Sequence, residues 1–402
     1  MNAFDTIPAH VPRDLVVDLD LYNLEGGSND PQLSWKRNFG AVDKGPLLYS
    51  PHNGGHWVAT RPEDIADIYR NSKEWSSQDV TAPKHVGDRF LPLESDAPDH
   101  TAYRKAILGL LSNKALREIE PPARTLAVDL IEGLQDGGRC DFISDFALKF
   151  PLTVFLNIMG LPAEDGVMIN NWLDAYVRTN NVEEKIGVGG KIAAYVHAQV
   201  DDRIENPRND GLTNITQGQV GDRPLTRQEI YNLAQMLTMG GIDTVAMHLS
   251  FIVIHLAQNP DKREYVRNNL DSLDRVITEY GRRYFLNNMF RTVSEDREFH
   301  GVQLKAGELI AVNAGLYNFD ETLFPHPEEI DFERPAKLNL SFGAGPHACP
   351  GAALTRLEVK IFLQEWLTRI PDFEIDPDTP IALRASQMHG VSELAVRWPT
   401  KE

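Results

Sequence analysis

Cysteine is scarce in this chain: two residues in 402, Cys140 and Cys349, too few and too far apart for a disulfide framework or a four-ligand zinc site. A reducing compartment fits such usage. Basic charge is also in deficit, with 40 Lys and Arg against 58 Asp and Glu and a formal net charge of −18. No stretch gathers the cations needed to neutralise a run of phosphates, which excludes nucleic acid as a partner. Long apolar runs are missing too. Stretches such as 249–257 fall far short of the ~20 residues that cross a bilayer, and the opening MNAFDTIPAH has neither a basic start nor an apolar signal core. The expectation is a cytoplasmic protein with no membrane partner. No internal repeat, Ser/Gly-rich linker or low-complexity segment divides the chain.

What is present is an ordinary globular composition, 42% hydrophobic and 24% charged, with enough apolar residues to enclose a large ligand. Length alone suggests several domains, but without a linker one continuous domain, 1–402, is expected. Apolar residues three and four apart predict helices at 105–111, 122–134, 192–204, 227–257 and 351–367. Short strands are expected at 47–49, 56–60, 298–304, 309–313 and 394–398. The fold class is therefore mainly α, helix-rich mostly over 95–290 and 351–370, with a smaller β-rich region mostly over 45–62, 296–315 and 375–399. The Asp/Asn/Gly/Pro-rich 206–223 reads as a surface loop, and Thr226 with Glu229 reads as a capping box opening the longest helix.

Chemistry concentrates in SFGAGPHACPGAALTRLE, residues 341–358. Phe342, Gly343, Gly345, His347, Cys349 and Gly351 match an FGxGxHxCxG pattern, which chance would produce in such a chain on the order of once in a million. Glycines permit a tight backbone, and a cysteine beside amide donors and a helix start favours the thiolate. On these residues the chain resembles the cytochrome P-450 family. The resemblance implies that family's fold, a helix-rich triangular prism, and haem b (iron protoporphyrin IX) as cofactor. It makes Cys349 the metal ligand, a thiolate whose electron donation favours cleavage of the oxygen–oxygen bond. Phe342, Gly343 and Gly351 then shape the haem loop, and His347 meets a propionate. His100 and Arg104, four residues apart in HTAYR, together with Arg291, match the family's other propionate contacts. Cys140, in GGRCDF, carries no ligand pattern and reads as a small, partly buried residue.

In MLTMGGIDTVAMHLSF, Gly240-Gly241 interrupts a strong helical pattern at about 1 kcal/mol per glycine relative to alanine. The resemblance makes this the helix crossing the distal haem face, with a glycine step that opens space for dioxygen. Asp243 and Thr244 match the acid–alcohol pair that relays protons to dioxygen, and Arg178 matches the arginine that pairs with the aspartate. Glu279 and Arg282, at ExxR spacing, and Arg334 in FERP match a buried three-charge network that supports the cysteine loop.

The order of elements from about residue 13 onward is similar to the bacterial camphor 5-monooxygenase subgroup, most visibly at NGGHW (53–57), EFHGVQLKAG (298–307) and EWLTRIPDFEI (365–375). This implies a monooxygenase that consumes dioxygen and takes electrons from a 2Fe-2S ferredoxin reduced by an NADH-dependent flavoprotein. A basic docking patch on the cysteine side would suit that acidic donor, with Lys73, Arg104, Lys105 and Lys337 as candidates. Phe90, Met236, Met239, Gly240, Asn287, Met289 and Met388 are the expected substrate pocket, a soft apolar lining. The segment 85–92, HVGDRFLP, lacks the tyrosine that holds camphor's ketone in that enzyme. A small apolar substrate such as a cyclic terpenoid or an ionone-like norisoprenoid ketone is expected instead of camphor. Two other classes compete: a peroxide-driven peroxygenase, which typically replaces the acid–alcohol pair, and a haem-thiolate sensor, which needs no relay. Finally, Pro350 follows the ligand directly and brings no N–H to the sulfur. Its alternative role is to open the next helix at the first position.

Overall fold

A computed structural model describes residues 3–85, 87–178, 182–241, 243–335, 337–385 and 388–400; the side chains of 174, 177, 178, 182 and 185 lie outside the description. Helices dominate, and the strands form small sheets. The largest sheet runs in the order Leu47–Ser50, His56–Ala59, Leu309–Asn313, Asn288–Val293, Trp75–Ser76, antiparallel except where Leu309–Asn313 meets His56–Ala59. A second sheet sets Ala395–Arg397 between Glu374–Ile375 and Arg139–Asp141. Cys140 lies in that last strand, opposite Val396 and buried. It is a strand inside the expected helix-rich stretch, drawn there because Cys140, Val396 and Trp398 bury into one core.

That core surrounds the helices Asp243–Gln258 and Ala352–Arg369. Phe142, Phe146, Phe362 and Trp366 stack there within 5.2–5.7 Å of one another. Such burial stabilises by roughly 1.5–3 kcal/mol per large side chain. The helix Ala352–Arg369 therefore positions the residues before it from a rigid base.

Several sequence expectations are corrected. The helix expected at 122–134 spans Asn113–Gln135 and passes through Pro121 and Pro122. Ser112 caps it by accepting from the Ala115 N–H, and the carbonyls the prolines free belong to exposed Arg117 and Glu118, where water can satisfy them. The stretch 298–304 is a hairpin, Arg297–Phe299 paired with Val302–Leu304, turning through His300 (φ 51°) and Gly301 (φ 78°). The loop expected at 206–223 contains the helix Gly211–Thr216, whose Leu212 and Ile215 are buried. It is anchored by Asp210, which caps the helix and pairs with buried Arg203 at 2.7 Å.

The longest expected helix is two, Arg227–Gly240 and Asp243–Gln258, and the capping box of Thr226 and Glu229 is present. Together they span 32 residues, long and apolar enough by composition to cross a membrane, a property that counting unbroken apolar runs misses; 65% of the apolar window is buried inside the protein. A Cβ on Gly241 would lie 2.7 Å from the Phe155 ring. Close packing therefore requires the second glycine of the step.

Candidate functional site

The loop 340–351 passes through left-handed backbone at Gly343 (φ 67°) and Gly345 (φ 69°). A side chain on Gly345 would also lie 2.7 Å from the Tyr69 carbonyl oxygen, so glycine alone fits. These turns fold the loop back until the Cys349 N–H donates to the Phe342 carbonyl at 2.8 Å. Cys349 keeps accessible surface, yet the protein enclosing it pushes its thiol up from the ordinary value. The Gly351 N–H, the Arg104 guanidinium and the Ala352 N–H pull it back down. Those two amides are the backbone donors to the sulfur. Pro350 is not the first helical residue: the helix starts at Ala352 with Gly351 as its N-cap. A helix-start role at that first position therefore does not account for the proline.

Beside Cys349 four nitrogen-rich side chains converge. The rings of His100 and His347 lie 3.9 Å apart. Arg104 donates to the Ala348 carbonyl, and fully buried Arg291 donates to the Phe290 carbonyl at 2.7 Å with its guanidinium over the Tyr69 ring. Burial first, then Arg291, His100 and Arg104, hold His347 down to about 3. Burial and Arg104 likewise lower His100, whose Nε2 is buried without a hydrogen-bond partner. Among the described residues neither Arg104 nor Arg291 forms an ion pair; Asp96, which acts on His100 and Arg291, accepts from Ser76 and Ser77. Two desolvated guanidinium groups without a bonded counterion are costly unless an anion joins them.

Behind the loop, Glu279 Oε1 accepts from Arg282 at 2.7 Å, Arg334 at 3.1 Å and the Asp331 N–H at 3.1 Å, and Oε2 accepts from Arg282 at 2.9 Å. Their side chains are 5%, 1% and 9% exposed for Glu279, Arg282 and Arg334, so the three expected charges do meet in the interior. Arg282 also donates to the Asn318 carbonyl at 3.0 Å. The Asn318 side chain in turn accepts from the Leu340 N–H at 2.9 Å and donates to Ser341 Oγ at 3.3 Å, and Ser341 donates to the Gly281 carbonyl. Asn318 and Ser341, which sequence reasoning missed, thus couple the network to the loop. No spacing signal marks Asn318, because its partners lie 22 to 36 residues away. Tyr69, beneath Gly345 and under Arg291, was missed for the same reason.

Asp243 and Thr244 open the second half of the broken helix, both half-buried, and Thr244 Oγ1 donates to the Gly240 carbonyl at 3.3 Å. Met236, Met239 and Gly240 are half-buried on the first half. Phe90 stacks on His85 at 4.3 Å. Asn287 forms an antiparallel bridge to Met388, and Met289 follows on the adjoining strand. Arg178 ends the helix Gly166–Arg178, and its side chain lies outside the described residues. Of the proposed basic patch, Lys73, Lys105 and Lys337 are exposed, but Arg104 is half-buried, turned inward to Ala348 and the histidine pair.

The cytochrome P450 family model matches residues 180–392. A probable cytochrome P450 127A1 from Sinorhizobium fredii is 30% identical over 401 residues, 98% of this chain and 97% of that protein. This chain belongs to the cytochrome P450 family. A steroid C26-monooxygenase from Rhodococcus jostii is 26% identical over 88% of the chain and 78% of its own length. The solved structures of CYP101J2 and CYP101C1 superpose with TM-scores of 0.88 and 0.89 at 34% and 31% identity, each over 98% of this chain and 100% of the other. Cytochrome P450 enzymes are haem-containing monooxygenases that take up dioxygen and draw electrons from a redox partner, and this chain is one of them.

The donor set of this cytochrome P450 fits haem b. One cysteine carries amide N–H groups on its sulfur, and four donors without a bonded anion suit the two propionates of a porphyrin. When bound, the haem supplies thiolate-supported activation of dioxygen.

Proposed function

We propose that this cytochrome P450 takes electrons in the cytoplasm from a 2Fe-2S ferredoxin, reduced by an NADH-dependent flavoprotein, and hydroxylates a small cyclic terpenoid or norisoprenoid ketone. The observation that carries the enzymatic reading is the Asp243–Thr244 pair at the helix break, since a peroxygenase typically replaces that pair and a sensor needs no proton relay. Thr244 Oγ1, anchored on the Gly240 carbonyl, holds the proton that Asp243 replenishes, and the resemblance to the family assigns Arg178 as the partner of Asp243. His100, Arg104, Arg291 and His347 hold the haem propionates. Phe342, Gly343 and Gly351 shape the loop that presents Cys349, and Glu279, Arg282 and Arg334 keep that loop in place. Phe90, Met236, Met239, Gly240, Asn287, Met289 and Met388 line the pocket, and its methionines favour weakly polar ligands of compact shape. Exposed Lys73, Lys105 and Lys337 meet the acidic ferredoxin.

Reconstitution with a ferredoxin chain, following NADH, dioxygen, peroxide and hydroxylated product with β-ionone, tests this reading. Coupled product formation is expected, and product made only on addition of peroxide would replace it with the peroxygenase. Thr244→Ala is expected to bind substrate and consume electrons as before while diverting most of them to peroxide, because delivery of the second proton fails. Product formation as well coupled as in the wild type would remove Thr244 from the relay.

Pro350 leaves the sulfur with one fewer backbone donor than a residue bearing an N–H would. Hydrogen bonds to a ligating thiolate withdraw charge from the metal and raise its potential. Pro350→Leu is therefore expected to raise the ferric/ferrous potential by roughly tens of millivolts. An unchanged potential in a variant that binds haem normally would show that the amide introduced by the substitution does not reach the sulfur.

A further inference from the structure

Building on the reading that Thr244 and Cys349 face the haem, we infer that this cytochrome P450 carries an exit for oxidising equivalents. When peroxide leaves them at the haem with no substrate to accept them, Tyr280 gives up an electron, and Tyr265 passes the resulting hole to a small thiol at the surface. In the helix Asp243–Gln258, Thr244, His248, Phe251 and His255 recur four, three and four residues apart, so they share one face. That face meets the helix Asp274–Arg283 and the residue after it. His248 Nδ1 donates to the Tyr284 carbonyl at 3.3 Å, Phe251 stacks on Tyr284 at 5.4 Å, and His255 Nδ1 lies 3.1 Å from the Tyr280 hydroxyl. Phe251 stands about 10 Å along the helix from Thr244. On the cysteine side, the Phe342 ring comes within 4.0 Å of where a Cβ on Gly281 would stand, one residue after Tyr280. From there aromatic contacts continue to the surface. Tyr284 stacks on Tyr280 at 6.2 Å, Tyr280 meets Phe332 edge-on at 5.4 Å, and Phe332 stacks on Tyr265 at 5.3 Å. Tyr265 is half-buried, and its hydroxyl donates to exposed Glu333.

Packing requires none of these hydroxyls, since phenylalanine would fill the same space and a buried phenol costs free energy unless it is hydrogen-bonded. A phenol releases an electron readily only where its proton has a base to go to. Tyr280, fully buried, has His255. Burial first, then Arg283 and Lys262, hold His255 down to about 4, so its imidazole is neutral, and an oxidised phenol is acid enough to protonate it. Tyr265 has the Glu333 carboxylate. Tyr69, beneath the cysteine loop, is the rival, but its hydroxyl donates to the Val312 carbonyl at 3.0 Å, an amide oxygen too weakly basic to hold a proton. Arg283 lies over the Tyr284 ring at 4.9 Å and disfavours positive charge there, which leaves Tyr284 a bridge and Tyr280 the place where the hole rests. The electron leaves Tyr280 for the haem site as its O–H bond breaks and the proton moves to His255 Nδ1. Tyr265 then gives an electron to the Tyr280 radical, its own proton goes to Glu333, and His255 returns the first proton to Tyr280. A thiol donates a hydrogen atom to the Tyr265 radical, and two thiyl radicals pair as a disulfide. Glu333 releases to water the proton that accompanies each electron to the haem site.

The test mixes the haem-loaded ferric enzyme, free of substrate, with hydrogen peroxide. It reads the freeze-quenched electron paramagnetic resonance spectrum, the residue that carries a spin-trap adduct by peptide mass spectrometry, and the survival of the Soret band. The wild type is expected to form a tyrosyl radical and to carry the adduct on Tyr265. Tyr265→Phe is expected to lose that adduct and keep the radical, now on Tyr280, whereas Tyr280→Phe is expected to lose both. In each variant the Soret band is expected to bleach several-fold faster, and added glutathione is expected to slow the bleaching of the wild type but not of Tyr265→Phe. The variants compared retain the thiolate-type carbon monoxide band and the wild-type denaturant midpoint; if Tyr280→Phe does not, the surface variant Tyr265→Phe decides alone. Tyrosines that only pack would change neither the adduct nor the bleaching. An adduct on Tyr69, or a radical and a Soret survival unchanged in the variants, overturns the exit. A wild type without the thiolate-type band would instead overturn the placement of Cys349 at the haem.

Discussion

Cys349→Ala is expected to abolish the red-shifted Soret band that carbon monoxide gives with thiolate-ligated ferrous haem, while Cys140→Ala leaves it intact. Both thiols are pushed up by burial, but their surroundings differ. Cys140 is driven to about 12, with Asp145 and Asp141 adding to the effect of burial, so no thiolate forms there near neutrality. At Cys349 the Gly351 and Ala352 amides and the Arg104 guanidinium all favour the anion, and a metal ion would complete its deprotonation. The Cys140 side chain sits in a strand that is paired to Ala395–Arg397, so its loss is a matter of packing alone. Retention of the band in Cys349→Ala, or its loss in Cys140→Ala with the fold intact, would reverse the ligand assignment.

Glu279→Ala is expected to cost about 3–5 kcal/mol of stability, because it leaves two buried guanidinium groups without their shared carboxylate. The loss should also be felt at the haem. Arg282 and Asn318 hold Leu340 and Ser341, so the variant that still folds is expected to convert readily to the carbon monoxide form lacking thiolate ligation. Glu333→Ala is the control: its pair with Arg275 is 66% and 68% exposed, and such surface pairs contribute about 0–1 kcal/mol. Denaturant midpoints and carbon monoxide spectra measured on the two variants decide the matter. A Glu279→Ala loss no larger than that of the control would show that the network is not what secures the loop.

Much of this site was legible in the sequence because it depends on local backbone geometry. Gly343 and Gly345 occupy left-handed conformations that only particular residues tolerate, and the cysteine follows at a set distance, so loop and candidate ligand can be read together. His100 and Arg104 lie one helical turn apart, and Glu279 with Arg282 is another such pair. The misreadings occurred where distant partners override local preference. Two prolines sit inside the helix Asn113–Gln135, and a polar stretch folds as Gly211–Thr216 because Arg203 and Asp210 anchor it. Gly241 shows a mixed case: its presence mid-helix was visible, but the Phe155 ring that forbids a Cβ there was not.

The sequence by itself pointed to the family and marked Cys349 and the Asp243–Thr244 pair as candidates, since each is written in residues close along the chain whose types admit few substitutes. Only the tertiary structure decided that Arg104 turns inward from the surface, and that Asn318 and Ser341 link the charge network to the cysteine loop. It also decided that Tyr280 meets His255 and Phe332. These are contacts between segments tens to hundreds of residues apart, such as Arg104 with Ala348. Hydrogen bonds and burial of that kind depend on how helices and sheets pack, and side-chain periodicity along one element carries no record of what packs against it.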